Sequence, residues 1–259
     1  MASKEHDFSV GSIPRNIISL ALPMTAAQLI NVLYSVVDRI YLGRLPGHLA
    51  LTGLGLTLPI ISIVMGFANL CGTGGAPLCS IYRGKGEEEE AERIMGNAFT
   101  LLLIFGAAVT GVFLLFRHPL LYLFGASDAT YPYAEAYMTI YLLGTIFVQL
   151  SLGLNTFISA QGKAMPAMCS VLIGAVLNIL LDPLFVLPQF LGLGAVGAGM
   201  ATALSNGAAV ACFAVYLVRR RGATYLNLLP ANLRYAAQYL RPILAIGFPS
   251  ALQYALTVV

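Results

Sequence analysis

The chain has 259 residues, of which 58% are hydrophobic and 10% charged, and its formal net charge is +3. Soluble domains carry about 25% charged residues, so this composition excludes an ordinary soluble globular domain and points to a membrane protein. The polar N-terminus, MASKEHDFSVGSIPR, precedes an apolar run too long for the core of a cleaved signal peptide.

A helix rising 1.5 Å per residue needs about 20 apolar residues to cross about 30 Å of hydrocarbon. Six complete spans are expected on that basis, at roughly 16–42, 50–80, 95–116, 135–160, 165–187 and 194–218. A seventh begins near Pro242 and runs to Val259. The expected architecture is an all-α polytopic membrane protein: a six-transmembrane-helix bundle followed by the start of a seventh helix. Its divisions are an N-terminal tail at 1–15, the bundle at 16–218, a linker at 219–240 and the opening of a further helix at 241–259.

Span one carries Thr25, Gln28, Asn31, Ser35 and Asp38 at intervals of three, three, four and three residues. That spacing keeps them on one helical face, which in a membrane is expected to look inward. An aspartate at a helix centre costs about 2.5–3.5 kcal/mol on insertion scales, so such residues mark ion or substrate paths. Asp38 stands beside Arg39, and the alternative is a carboxylate that anchors the far interface.

The loop after span two contains EEEEAER at 87–93, read as a solvated helix start. The single cysteines Cys71, Cys79, Cys169 and Cys212 form no C-x-x-C pair and read as packing residues. His6, His48 and His118 fall at the ends or outside of spans. No resident metal or cofactor is expected from this set, and an intramembrane enzyme would need motifs such as H-E-x-x-H or G-x-S-x-G that the chain lacks.

Span five contains NILLDPLF, which places Asn178 one turn before Asp182 and Pro183 directly after it. Ser170 and Gly174 extend the same face toward the start of the span. An amide and a carboxylate one turn apart offer oxygens to a hard cation, or a carboxylate whose proton affinity is set by desolvation. Pro183 is expected to bend the helix and free carbonyl oxygens near Ile179. The bland alternative is a pair that joins helices or caps a broken helix end.

Span six opens with GLGAVGAGMATALSNG. Gly192, Gly194 and Gly197 make a formal G-x-G-x-x-G, but the parallel strand of a dinucleotide site is absent, so the small residues are expected to serve close helix packing. Thr202 and Asn206 are the polar groups on this span available to meet Asp182.

With the N-terminus cytoplasmic, that side receives Lys4, Arg15, Arg83, Lys85, Arg93, Lys163, Arg219, Arg220, Arg221, Arg234 and Arg241. The other side keeps only Arg39, Arg44 and Arg117. This asymmetry fits an N-inside chain, so the positive charge reflects topology, and no nucleic-acid partner is needed.

RNIISLALP at 15–23 aligns with RPILAIGFP at 241–249, position by position from Arg15 and Arg241 to Pro23 and Pro249. A parallel repeat is expected: one six-helix half, then the first turns of a second.

Five stretches carry a resemblance: LINVLYSVVDRIYLGRLPG (29–47), GTGGAPLCSIYRGKGEEEEAERIMGNA (72–98), NTFISAQGKAMPAM (155–168), VLNILLDPLF (176–185) and GLGAVGAGMATALSN (192–206). In these the chain resembles the N-terminal half of the multidrug and toxic compound extrusion (MATE) family, within the multidrug/oligosaccharide-lipid/polysaccharide exporter superfamily. The resemblance implies two six-helix bundles around a cavity that opens alternately to each side, with drug efflux coupled to inward movement of H+ or Na+. Carried over by position, it implies that Asp38, Asn178, Asp182 and Thr202 form the coupling site of archaeal and DinF-like members. Sodium would bind transiently at Asp38, Asn178 and Asp182, and Gln28, Asn31, Ser35 and Asn206 would line the cavity. The expected partners are the lipid bilayer, cationic or amphipathic small molecules, and a second bundle, supplied in cis or by a second copy. The expected location is the cell membrane. Two alternatives stay open: a lipid-linked saccharide flippase, against which the scarcity of basic residues in the spans argues, and an inactive truncated or half-transporter product.

Overall fold

The structure, a computed structural model, describes residues 12–43, 49–219 and 236–256. Most of the expected N-terminal tail and linker, with Lys4, His6, Arg44, His48, Arg220, Arg221 and Arg234, lies outside the described residues. The helices are α1 (Ile13–Gly43), α2 (Leu49–Gly84), α3 (Glu88–Leu115), α4 (Arg117–Leu123), α5 (Tyr131–Leu143), α6 (Thr145–Ala160), α7 (Ala164–Val186), α8 (Ala195–Arg219) and α9 (Ala236–Leu256). Among the described residues five helices are long and apolar enough to cross a membrane, or six when α5 and α6 count as one bent span. The chain is a multi-pass membrane protein whose described elements are all helical.

α2 is the central post, with α3, α5, α6 and α9 packed around it, while α7 and α8 form a second pair and α1 lies along α7. Among the described residues, four apolar clusters fill the interior. One joins Val64, Tyr137, Tyr141, Val148, Val186 and Ala198 from α2, α5, α6, α7 and α8. Another seats Tyr239 and Ile243 of α9 among Cys79, Ile94, Met95 and Phe157.

Several boundaries depart from the sequence expectation for identifiable reasons. α3 begins at Glu88, with Glu88, Glu89 and Glu90 in its first turn. There they complement the positive end of the helix dipole, and Arg93 pairs with Glu89 and Glu90 along the same face. A short α4, which the apolar pattern did not foreshadow, follows span three; Arg117 Nε meets Glu135 Oε1 at 2.7 Å and ties it to α5.

The fourth span is two helices meeting at 53° around Gly144. The break is braced from outside: Thr110 Oγ1 of α3 donates to the Leu142 carbonyl at 2.9 Å, and Ala203 of α8 closes on Gly144. α9 starts at Ala236, six residues before Pro242, because buried Tyr239 docks its first turn into the bundle. α7 runs unbroken through Pro183, whose carbonyl accepts from Leu187 N–H at 3.3 Å. The helix therefore continues past the proline, while the Ile179 carbonyl one turn earlier has no N–H from Pro183 to accept.

The glycine run before α8 forms a tight return. Gly192 and Gly194 have φ of 64° and 57°, a left-handed region that side chains with a Cβ rarely enter, and Leu193 N–H reaches back to the Phe185 carbonyl at 2.8 Å. This turn lays α8 against α7, with Ser205 and Ala209 over Gly174.

Candidate functional site

α7 presents Asn178 and Asp182 one turn apart, 2% and 0% exposed. All four of their terminal side-chain atoms are buried without a hydrogen-bond partner. The same face continues through Ser170, buried and bonded to the Ala167 carbonyl, and through Gly174, which lies against Ser205 and Ala209 of α8. α1 brings Asp38 alongside; its Oδ1 is also buried and unpartnered. The two carboxylates are close enough to feel each other's charge. Arg39 lies within electrostatic reach of Asp38, while among the described residues Asp182 has no basic neighbour of that kind.

Three tyrosines complete the surroundings. Tyr34 of α1 is in electrostatic reach of Asp38 and Asp182. Tyr137 of α5 reaches both acids and also Tyr34 and Tyr141. The rings of Tyr137 and Tyr141 stack with centroids 6.0 Å apart and planes inclined at 17°. The sequence reading passed over all three. The signal was present in spacing, since Tyr34 precedes Asp38 by one turn and Tyr137 precedes Tyr141 by one turn.

The polar stripe of α1 divides. Asn31, Ser35 and Asp38 are half-buried, and Thr25 and Gln28 are exposed. α7 covers one flank of α1 and the helix is otherwise thinly packed. Ser35 Oγ donates to the Asn31 carbonyl at 2.9 Å on its own helix. On α8, Asn206 Nδ2 and Ser205 Oγ both donate to the Thr202 carbonyl, at 2.9 and 3.0 Å. Thr202 and Asn206 thus sit half-buried on the helix that flanks α7, with the Asn206 amide turned to its own backbone.

The donor set is carboxylate, amide and phenol oxygen, a chemistry suited to a proton or a hard cation rather than a soft metal. Two acids in reach of each other's charge, one buried and one half-buried, are short of positive charge with one arginine nearby, and in a low-dielectric setting a proton or a cation can relieve that deficit.

The sequence pattern of the MatE family matches residues 23–184, which include Asp38, Asn178 and Asp182. The chain belongs to the MatE family. It is 30% identical over 249 residues to the multidrug export protein MepA of Staphylococcus haemolyticus, covering 96% of this chain and 54% of that protein. A crystal structure of a MATE protein in complex with MaD3S superposes with a TM-score of 0.87 at 28% identity, over 98% of this chain and 56% of that one. An outward-facing multidrug resistance MATE transporter of the MOP superfamily gives a TM-score of 0.87 at 27% identity, over 98% and 55%. The chain therefore spans about half the length of the MatE relatives it matches.

Proposed function

We propose that this chain forms the ion-coupling bundle of a cation-coupled antiporter that exports cationic or amphipathic compounds by alternating access. Asp38 and Asp182 are the coupling pair. Asn178 supplies an amide oxygen beside Asp182, and Thr202 borders the pair from α8. Gln28, Asn31, Ser35 and Asn206 line the path between the site and the transport cavity. The observation that carries the reading is the cluster of buried carboxylate and amide atoms on α1 and α7 that have no partner within the chain. The MatE membership of the chain supports it.

When both acids are ionised their repulsion favours one shape of the bundle. Binding H+ or Na+ removes that repulsion, lets α1 and α7 repack, and weakens the hold on a cationic substrate. Coupling requires the ion to bind the two shapes unequally, since a ligand with equal affinity shifts nothing. The bundle works in the plasma membrane with its N-terminus cytoplasmic, beside a second bundle that encloses the other side of the cavity.

In cells expressing the two-bundle protein, Asp182→Asn should reduce ion-driven efflux of a cationic dye to the background rate while membrane insertion is unchanged. Wild-type efflux in that variant overturns the assignment. Separate sodium and proton gradients across proteoliposomes then identify the coupling ion.

A further inference from the structure

Tyr141 is 4% exposed, and its hydroxyl is buried with no hydrogen-bond partner. A phenylalanine would keep the stack on Tyr137 without the cost of an unmade hydrogen bond. The hydroxyl is therefore an expense in this state and needs a partner in another.

The ring cannot travel far to find one. The Tyr141 carbonyl accepts from Thr145 Oγ1 at 3.3 Å across the α5–α6 break. One turn earlier Tyr137 packs its backbone against Gly199 of α8, and three residues later Gly144 abuts Ala203. α1, by contrast, rests mainly on α7 and has little else around it. It carries Tyr34, which is in electrostatic reach of Tyr141.

We propose that Tyr141 is a positioning residue of the ion site: its hydroxyl stands open in this state and pairs with the Tyr34 hydroxyl when an ion neutralises the acids, drawing α1 onto α5. This rests on the reading of Asp38 and Asp182 as the coupling pair. Tyr34 on α1 and Tyr137 on α5 are in electrostatic reach of Tyr141; Asp38 and Asp182 reach those two tyrosines, and Arg39 reaches Asp38. The charged residues of α2, α3 and α8 fall in their end turns, at Arg83, at 88–93 and at Arg219, and α6 has none. The consequence is a switch in which one hydrogen bond, absent without the ion and present with it, contributes to the ion's differential affinity.

The test is thermal unfolding of the chain in lipid nanodiscs, with sodium titrated at fixed pH and pH titrated without sodium. Tyr141→Phe should raise the ion-free unfolding midpoint and increase the ion concentration for half-maximal stabilisation about tenfold, the effect of losing one hydrogen bond. Tyr34→Phe should weaken the ion response similarly, and the double variant should show no further loss, because both remove the same bond. Asp182→Asn should abolish the ion response altogether. An unchanged ion response in Tyr141→Phe, or a lowered ion-free midpoint, overturns this inference while leaving the acid pair in place. An ion response that survives in Asp182→Asn overturns the acid-pair reading itself.

Discussion

Asn178 brings an amide into the interior of α7 with neither its oxygen nor its nitrogen bonded. Leaving such a group unsatisfied costs about 1–3 kcal/mol, and an apolar replacement of the same shape removes that cost. Asn178→Leu should therefore stabilise the chain by about 1–2 kcal/mol in chemical denaturation. A loss of stability in that variant would mean that the amide holds helices together, the bland reading. Asn178 and Asp182 were legible in the sequence because a polar residue deep in an apolar run is costly wherever it points. The tyrosines were not, since a phenol fits the core, the interface and a binding site equally well by composition. The exposure of Thr25 and Gln28 was hidden for another reason: periodicity groups residues on a face without saying what covers it.

At the scale of the element, the tightest junction is between α2 and α9. A Cβ on Gly74 would collide with the Ile243 carbonyl, and one on Gly247 with the Leu70 carbonyl. The opposing atoms are backbone, so neither helix yields by turning a side chain aside. Gly247→Ala should push the helices apart and cost about 1–3 kcal/mol of stability, read as a lower unfolding midpoint. An unchanged midpoint would show that α9 does not depend on this crossing. Helix existence was readable for nearly all the spans because apolar runs of the required length leave no other economical fold in lipid. The bend at Gly144 was not, because the apolar pattern continues across it and the bracing groups, Thr110 and Ala203, come from other helices.

Across the whole molecule, the basic residues of the sequence fall mostly in the connections expected on one side of the membrane, and that orientation is testable. With the N-terminus cytoplasmic, the α4–α5 turn at Asp128 lies outside and the α6–α7 turn at Lys163 lies inside. In a background without the four native cysteines, Asp128→Cys should react with a membrane-impermeant maleimide on intact cells. Lys163→Cys should react only after permeabilisation, and the reverse labelling would invert the topology. α1 remains the least covered span, and its aligned repeat at α9 packs against α2 instead of closing over α1. The uncovered flank of α1 is where a second bundle is expected to complete the cavity.

That this chain crosses a membrane, roughly where each span lies, and that Asp38, Asn178 and Asp182 stand out within those spans were all legible in the amino-acid order. Length, apolarity and the cost of burying charge are properties of single segments, and a single chain displays them in full. It took the packed helices to show that Asp38 and Asp182 share one neighbourhood, that Tyr34, Tyr137 and Tyr141 lie around it, and that the polar face of α1 is half open. Those are relations between helices. They depend on which glycines let backbones meet and on which neighbour arrives to brace a bend, and no segment carries that information alone.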